Sequence, residues 1–225
     1  MQTPIKFAVF DCDGTLVDSQ HAIGAGMEYA WAEEGLAAPS RAELRRQVGL
    51  HLEEAIARLH PEGDAEQRQR MAENFRNAFH DPSIELMDDE PLFPGCKDVL
   101  DKLHADGVIL GIATGKGLRG LRVTLERHGL TNHFQILKTA NDGPGKPNPL
   151  ILLDAMTEIG ANAWETIMIG DTIFDIGAAV NAKIASLGVS WGYHETNELL
   201  AAGAARVVDH YYELPNALED IWKGE

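Results

Sequence analysis

Along the chain, short runs in which almost every position is apolar alternate with stretches in which apolar residues return every three or four positions. Five or six short runs stand out, at residues 5–10, 108–113, 134–137, 166–169, 184–189 and 205–208. Each is too short for a stable helix and rich in Val, Ile, Leu or Phe. Without the alternation of a half-exposed strand, such runs predict strands of a sheet covered on both faces. The helical stretches fall between them. Val99, Leu100 and Leu103 precede the second run and Leu118, Leu121 and Leu125 follow it, while Leu150, Leu153 and Met156 precede the fourth and Ile173, Ile176 and Val180 follow it. Strand alternating with helix predicts an α/β fold built on a doubly wound parallel sheet.

Residues 16–87 break this rhythm. They carry helical patterns only, at 21–35, 41–48, 52–59 and 66–79, and in the last Met71, Phe75 and Phe79 form one apolar stripe. Gly35, Gly49 and Pro61-Glu62-Gly63 punctuate them. The expected organisation is a core of residues 1–15 and 88–225 with a small helical domain, 16–87, inserted after the first strand. Asp88-Asp89-Glu90-Pro91 and Pro94-Gly95 mark the return.

Composition narrows the partners. A chain of 225 residues buries about 70% of its unfolded surface, enough for a substantial core. Nineteen Lys and Arg against 35 Asp and Glu leave a formal charge of −16, which opposes binding to nucleic acid or an anionic membrane. No window approaches about 18 consecutive apolar residues, so no membrane span is expected. The first residues lack a basic segment followed by a long apolar one, so no signal peptide is expected. Two cysteines, Cys12 and Cys96, make no disulfide framework and fit a reducing, cytoplasmic setting. The acidity is uneven. Residues 107–157 hold six basic side chains (Lys116, Arg119, Arg122, Arg127, Lys138, Lys146) against Glu126, Asp142 and Asp154. Chance clustering on solvated helix faces is the ordinary explanation unless a motif coincides with it.

Motifs do coincide with the strand ends, where open parallel sheets gather their function. The first strand runs into Asp11-Cys12-Asp13-Gly14-Thr15. The two carboxylates leave Cys12 pointing the other way, as packing, and Gly14 permits a tight turn. A carboxylate-rich turn or cap is the competing reading. The fourth strand ends in Gly170-Asp171-Thr172-Ile173-Phe174-Asp175, a carboxylate pair suited to a hard cation or to a helix N-terminus. The second ends in Thr114-Gly115-Lys116, either a helix N-cap or an anion seat of hydroxyl and free N–H groups. Lys146 lies in Gly143-Pro144-Gly145-Lys146-Pro147-Asn148-Pro149; a single loop lysine is usually a solvated charge, but the flanking prolines and glycines predict a fixed position. Two acidic pairs, one hydroxyl and one lysine, in this order at strand ends, point to a single site.

These four motifs, 11–15, Thr114, Lys146 and 170–175, make the chain resemble the haloacid dehalogenase-like hydrolase superfamily over almost its whole length. The 16–87 insert resembles the helical cap of the phosphoglycolate phosphatase type, and Asp18-Ser19, the Lys146-Pro147 turn and the 188–193 stretch resemble that subgroup. Gly115 and Asn148 depart from it, since Asn is common at the first position and Ala or His at the second. The resemblance implies Asp11 as nucleophile toward phosphorus and Asp13 as acid and then base. It implies Lys146 as charge partner, with Thr114 and Gly115 holding phosphoryl oxygens. Mg²⁺ is implied on Asp11, the Asp13 carbonyl, Asp171 and Asp175, the last directly or through water. Arg46, with Arg45 and the Gly49-Leu50-His51 turn, stands where related caps place their specificity loop, although a solvated face suits either Arg taken singly. The implied function is a phosphatase for a small phosphorylated metabolite, 2-phosphoglycolate foremost, acting as monomer or homodimer. A sugar phosphomutase of the same superfamily is the alternative within enzymes, and a phospho-Asp signalling module the alternative outside them. The nine histidines show no zinc-ligand spacing.

Overall fold

The computed structural model describes residues 4–79 and 90–224. Six strands, β1 (Phe7–Phe10), β2 (Ile109–Ala113), β3 (Phe134–Lys138), β4 (Thr166–Gly170), β5 (Ala185–Val189) and β6 (Arg206–Val208), form one parallel sheet in the order β3-β2-β1-β4-β5-β6. Chain order reverses beside β1, so the crevice between β1 and its neighbours opens at the carboxyl ends of β1, β2 and β4. β1 begins at Phe7 and not at residue 5, because the Ile5 N–H turns to the Glu165 carboxylate at 2.8 Å.

Burial of both faces explains the continuous apolar strands. Ala8 and Phe10 face helices α5 (Cys96–Ala105), α6 (Leu118–Arg127) and α10 (Leu214–Lys223), among Leu100, Leu121, Leu125 and Leu218. Phe7 and Val9 face α7 (Leu150–Ile159) and α8 (Ile173–Ala182), among Ile151, Leu152 and Ala178. The remaining core helix, α9 (Thr196–Ala202), sets Leu199 against Ile176.

Between β1 and α5 stand α1 (Gln20–Glu33), α2 (Arg41–Arg45), α3 (Leu52–Leu59) and α4 (Ala65–Ala78). They pack on an apolar cluster of their own, with Met27, Trp31, Leu44, Ile56 and Met71. α2 stops at Arg45, short of the expected 48. There the chain passes through consecutive turns (Gln47 N to Leu44 O, Leu50 N to Gln47 O) into Gly49, whose φ of 96° is left-handed. The chain leaves and re-enters the sheet unit side by side: Val17 bridges Leu92, and Asp18 N donates to Pro91 O at 2.9 Å. Asp88 and Asp89 of the expected return linker, and the insert's end at 87, lie outside the described residues. Among the described residues, no helix is long and apolar enough to cross a membrane.

Candidate active site

Strand β1 delivers Asp11 to the mouth of the crevice, where its N–H still donates to Ile169 O of β4 at 2.9 Å. The chain then tightens through Leu16 N to Cys12 O (2.8 Å) and Gly14, at φ 83°. Cys12 is buried in the core beneath β1, as expected from its orientation. The Asp11 side chain accepts from Cys12 N through Oδ1 at 2.7 Å. Its Oδ2 lies 2.9 Å from Lys146 Nζ yet has no hydrogen-bond partner, among buried atoms an exceptional state.

Lys146 is itself buried. Its ammonium reaches Asp175 Oδ1 at 2.5 Å and Ala113 O at 3.2 Å. Asp175 uses its other oxygen as part of a capping box on α8, accepting from Thr172 N (3.0 Å) and Thr172 Oγ1 (2.7 Å). Capping and charge pairing are therefore done by one carboxylate. Asp171 accepts from Thr15 Oγ1 at 2.7 Å and from Tyr193 N at 2.9 Å. A side chain on Gly14 or on Gly192 would put Cβ within 2.3 Å of Asp171 atoms, so glycine is what lets both loops close on this carboxylate.

Oxygens of Asp11, Asp171 and Asp175 lie within 4.8 Å of one another, all three residues buried. Three carboxylates face one lysine, and the surplus negative charge shows in the protonation equilibria. Burial pushes Asp11 up to about 7, with Lys146 opposing and Asp175 adding to the rise. Asp171 is driven well above the carboxylate range by burial and then by Asp175 and Asp11. Burial alone would lower Lys146, but Asp11 and Asp175 outweigh it and keep the ammonium charged. An all-oxygen donor set, excess negative charge and the orphaned Asp11 Oδ2 together fit a hard divalent cation.

The other expected site residues fall around this cluster. Thr114 is buried at the end of β2, its Oγ1 accepting from Lys116 N at 3.1 Å; the N-cap of α6 is Gly117, not Thr114. Gly115 lies under the turn between α2 and α3, where an added Cβ would stand 2.7 Å from Leu50 O. The next residue of that turn, His51, overlies Gly145, beside Lys146. Leu50 and Ala55 pack on Phe174, so the helical insert sits directly over the strand ends. Arg46 is turned outward into an exposed pair with Glu198 at 2.8 Å. Arg45 instead donates to the carbonyls of Gly192 and of Tyr193 (2.9 Å), with its guanidinium 5.8 Å from the Tyr193 ring.

Asp13 is held by a residue that sequence reasoning passed over. Lys116 Nζ donates to Asp13 Oδ1 and to Glu90 Oε1, both at 2.8 Å. Its place two residues after Thr114 was the available signal. Thr15 and Tyr193 lay within motifs already singled out, but their contacts with Asp171 cross 156 and 22 residues of chain. Glu90 offered no signal beyond membership of an acidic stretch.

Comparison with known proteins places this geometry in context. Residues 8–189 match the family model described as haloacid dehalogenase-like hydrolase. A protein of Dickeya dadantii named "Probable phosphatase IndB" is 32% identical over 216 residues, covering 96% of this chain and 94% of the relative. A phosphoglycolate phosphatase of Vibrio parahaemolyticus is 30% identical, covering 95% and 96%. Among solved structures, a hydrolase from Pseudomonas syringae superposes with a TM-score of 0.85 at 30% identity, over 96% of this chain and 99% of the other.

Proposed function

The chain belongs to the haloacid dehalogenase-like hydrolases and is a phosphatase of that family, and on that premise we propose that it hydrolyses 2-phosphoglycolate through an aspartyl-phosphate on Asp11, with Mg²⁺ on Asp11, Asp171 and Asp175. The observation that carries this reading is the orphaned, buried Asp11 Oδ2 at the head of the carboxylate cluster, beside Lys146. A nucleophilic carboxylate needs a lone pair free to reach phosphorus, and a carboxylate attacking a phosphate needs its repulsion cancelled. The Asp11 main-chain and Cys12 N–H contacts fix the side chain, so it is aimed before substrate arrives.

Held by these carboxylates, the cation would supply positive charge that offsets the repulsion between carboxylate and phosphate. The chain's own residues do the rest. Lys146 offsets charge at Asp11, and Thr114 with the Gly115 N–H receives phosphoryl oxygens at the end of β2. Asp11 Oδ2 forms a bond to phosphorus as the bond to the leaving oxygen breaks. Asp13 passes its proton to that oxygen, then takes one from the water that cleaves the aspartyl-phosphate, releasing phosphate and restoring Asp11. The turn at 49–51, lying over Gly115 and Gly145, excludes bulk water from the reaction.

Arg46 does not support a substrate role, since Glu198 engages it at the surface. The choice of 2-phosphoglycolate rests on relatives named phosphoglycolate phosphatase at about 30% identity. Free Cys12 and Cys96 support a cytoplasmic setting. The test is a panel of phosphorylated two- to six-carbon metabolites with Mg²⁺, scored by kcat/KM, run beside Asp11→Asn. We expect 2-phosphoglycolate to lead and the variant to lose turnover by at least about 10⁴-fold while keeping its fold. Phosphate release by Asp11→Asn at the wild-type rate refutes the mechanism; a flat profile refutes the substrate.

A further inference from the structure

A second set of desolvated charges stands beside the cluster. The side chains of Lys116, Asp13 and Glu90 are 15%, 12% and 6% exposed, and one ammonium serves both carboxylates. Exposed ion pairs are worth little and need no purpose, but desolvating three charges is costly unless geometry repays it. The geometry here is a relay of fixed points. Glu90 Oε2 accepts from Thr124 Oγ1 of α6 at 2.9 Å, and its main-chain oxygen contacts His128 Nε2 at 2.8 Å. The next residue, Pro91, is tied to the outgoing segment through its carbonyl, which accepts from Asp18 N. Glu90 is therefore anchored to α6 through Thr124, to its C-cap residue His128, and once beside the crossing of the chain.

A lysine alone would be a poor tether, because its four-carbon stem follows whatever it binds. With Glu90 as a second, immobile partner, Lys116 Nζ has one place to be, and Asp13 Oδ1 has one ammonium to meet. Lys116 also closes the phosphate-side turn through its N–H to Thr114 Oγ1. One residue thus links the seat expected to hold the phosphoryl group to the side chain expected to move the proton.

We infer that Lys116, anchored through Glu90 to Thr124, is a positioning residue that holds the Asp13 carboxyl in line with the leaving oxygen. The inference rests on the phosphatase reading above and extends it to residues outside its motifs. In the step concerned, the Asp11 oxygen bonds to phosphorus, the bond to the leaving oxygen breaks, and the Asp13 proton goes to that oxygen. An alkoxide needs that proton as it departs, whereas p-nitrophenolate leaves without it. Loss of aim at Asp13 must therefore penalise one kind of substrate and spare the other.

The experiment compares kcat/KM, which reports only steps up to departure of the first product, for p-nitrophenyl phosphate and for the alkyl phosphate that the wild type turns over best. Both are assayed with saturating Mg²⁺. Lys116→Met is expected to lower the alkyl value by about 100-fold and the aryl value by less than about threefold. Lys116→Arg restores the alkyl value to within about tenfold of wild type. Glu90→Gln keeps the ammonium, removes its anchor, and shows the same selective loss at about tenfold. Circular dichroism and melting curves verify that each variant folds. If Lys116→Met does not fold, Glu90→Gln decides. Equal losses on both substrates, or none, overturn the inference. A wild type inactive on both substrates overturns the phosphatase reading itself, a result distinguishable from either.

Discussion

Replacing Lys146 by Met isolates what one buried cation contributes to this fold. Lys146 has no exposed side-chain surface and stands 2.9 Å from Asp11 Oδ2 and 2.5 Å from Asp175 Oδ1. At an effective dielectric constant near 20, the attraction at the Asp11 distance is on the order of 6 kcal/mol. Most of that offsets the desolvation of the ions, so the pair's net worth is far smaller than its Coulomb energy. Truncation is asymmetric, however. It deletes the attraction and leaves Asp11, Asp171 and Asp175 desolvated with no cation among them. Breaking a buried pair in this way costs about 3–5 kcal/mol, which for a chain of this length is a fall in Tm of about 10 °C. The assay is thermal unfolding at pH 7.5 in EDTA, followed by circular dichroism. A double variant, Lys146→Met with Asp175→Asn, removes one stranded charge while an amide oxygen still serves Thr172. It should regain about 1–3 kcal/mol over the single variant. A drop of less than about 3 °C in the single variant, or a double variant less stable than the single, refutes the account of the cluster as charge-strained.

Two other outcomes follow from the same geometry. Asp11 rises from an ordinary 3.8 to about 7 on folding, so between those values the native state binds the extra proton, and its contribution is present below about pH 4 and lost as pH rises through 7. That loss is on the order of 4 kcal/mol without a cation, and a divalent cation supplies the missing charge. The gain in Tm on adding Mg²⁺ should therefore be larger at pH 7.5 than at pH 5, and a gain that is flat or falls with pH counts against a metal on Asp11. Gly115→Ala places a methyl group 2.7 Å from Leu50 O and 3.3 Å from Gly49 O, both main-chain atoms, so the 49–51 turn has to lift. Overpacking of this kind costs about 1–3 kcal/mol, and we expect kcat/KM to fall about tenfold and Tm to fall by about 2–10 °C. An unchanged kcat/KM would show that the turn's close approach is not needed for turnover.

Much of the fold is written locally, which is why it was legible. The six apolar runs coincide with the six strands within one or two residues at either end, because strands covered on both faces carry continuous apolar sequence. The interruption after β1 was equally plain, since four helical patterns without a strand have to build their own core, here around Trp31, Ile56 and Met71. Helix ends were less so. α2 ends at Arg45, ahead of a left-handed Gly49 where an added Cβ would stand 2.9 Å from Thr172 Oγ1, a residue far along the chain.

Sequence by itself determined where the candidate site's side chains sit along the strands, because a parallel sheet brings the ends of β1, β2 and β4 together whatever the loops do. It did not determine what each side chain touches. Asp11 and Asp171 are charge-strained only because the fold buries them, Lys116 bridges Asp13 to Glu90 only because the insert's return passes beside α6, and Arg46 leaves the site only because α9 offers Glu198. Position along a strand is a property of local pattern. Burial, pairing and aim depend on residues more than 150 positions apart (Thr15 with Asp171, Arg46 with Glu198), and those distances close only in the folded protein.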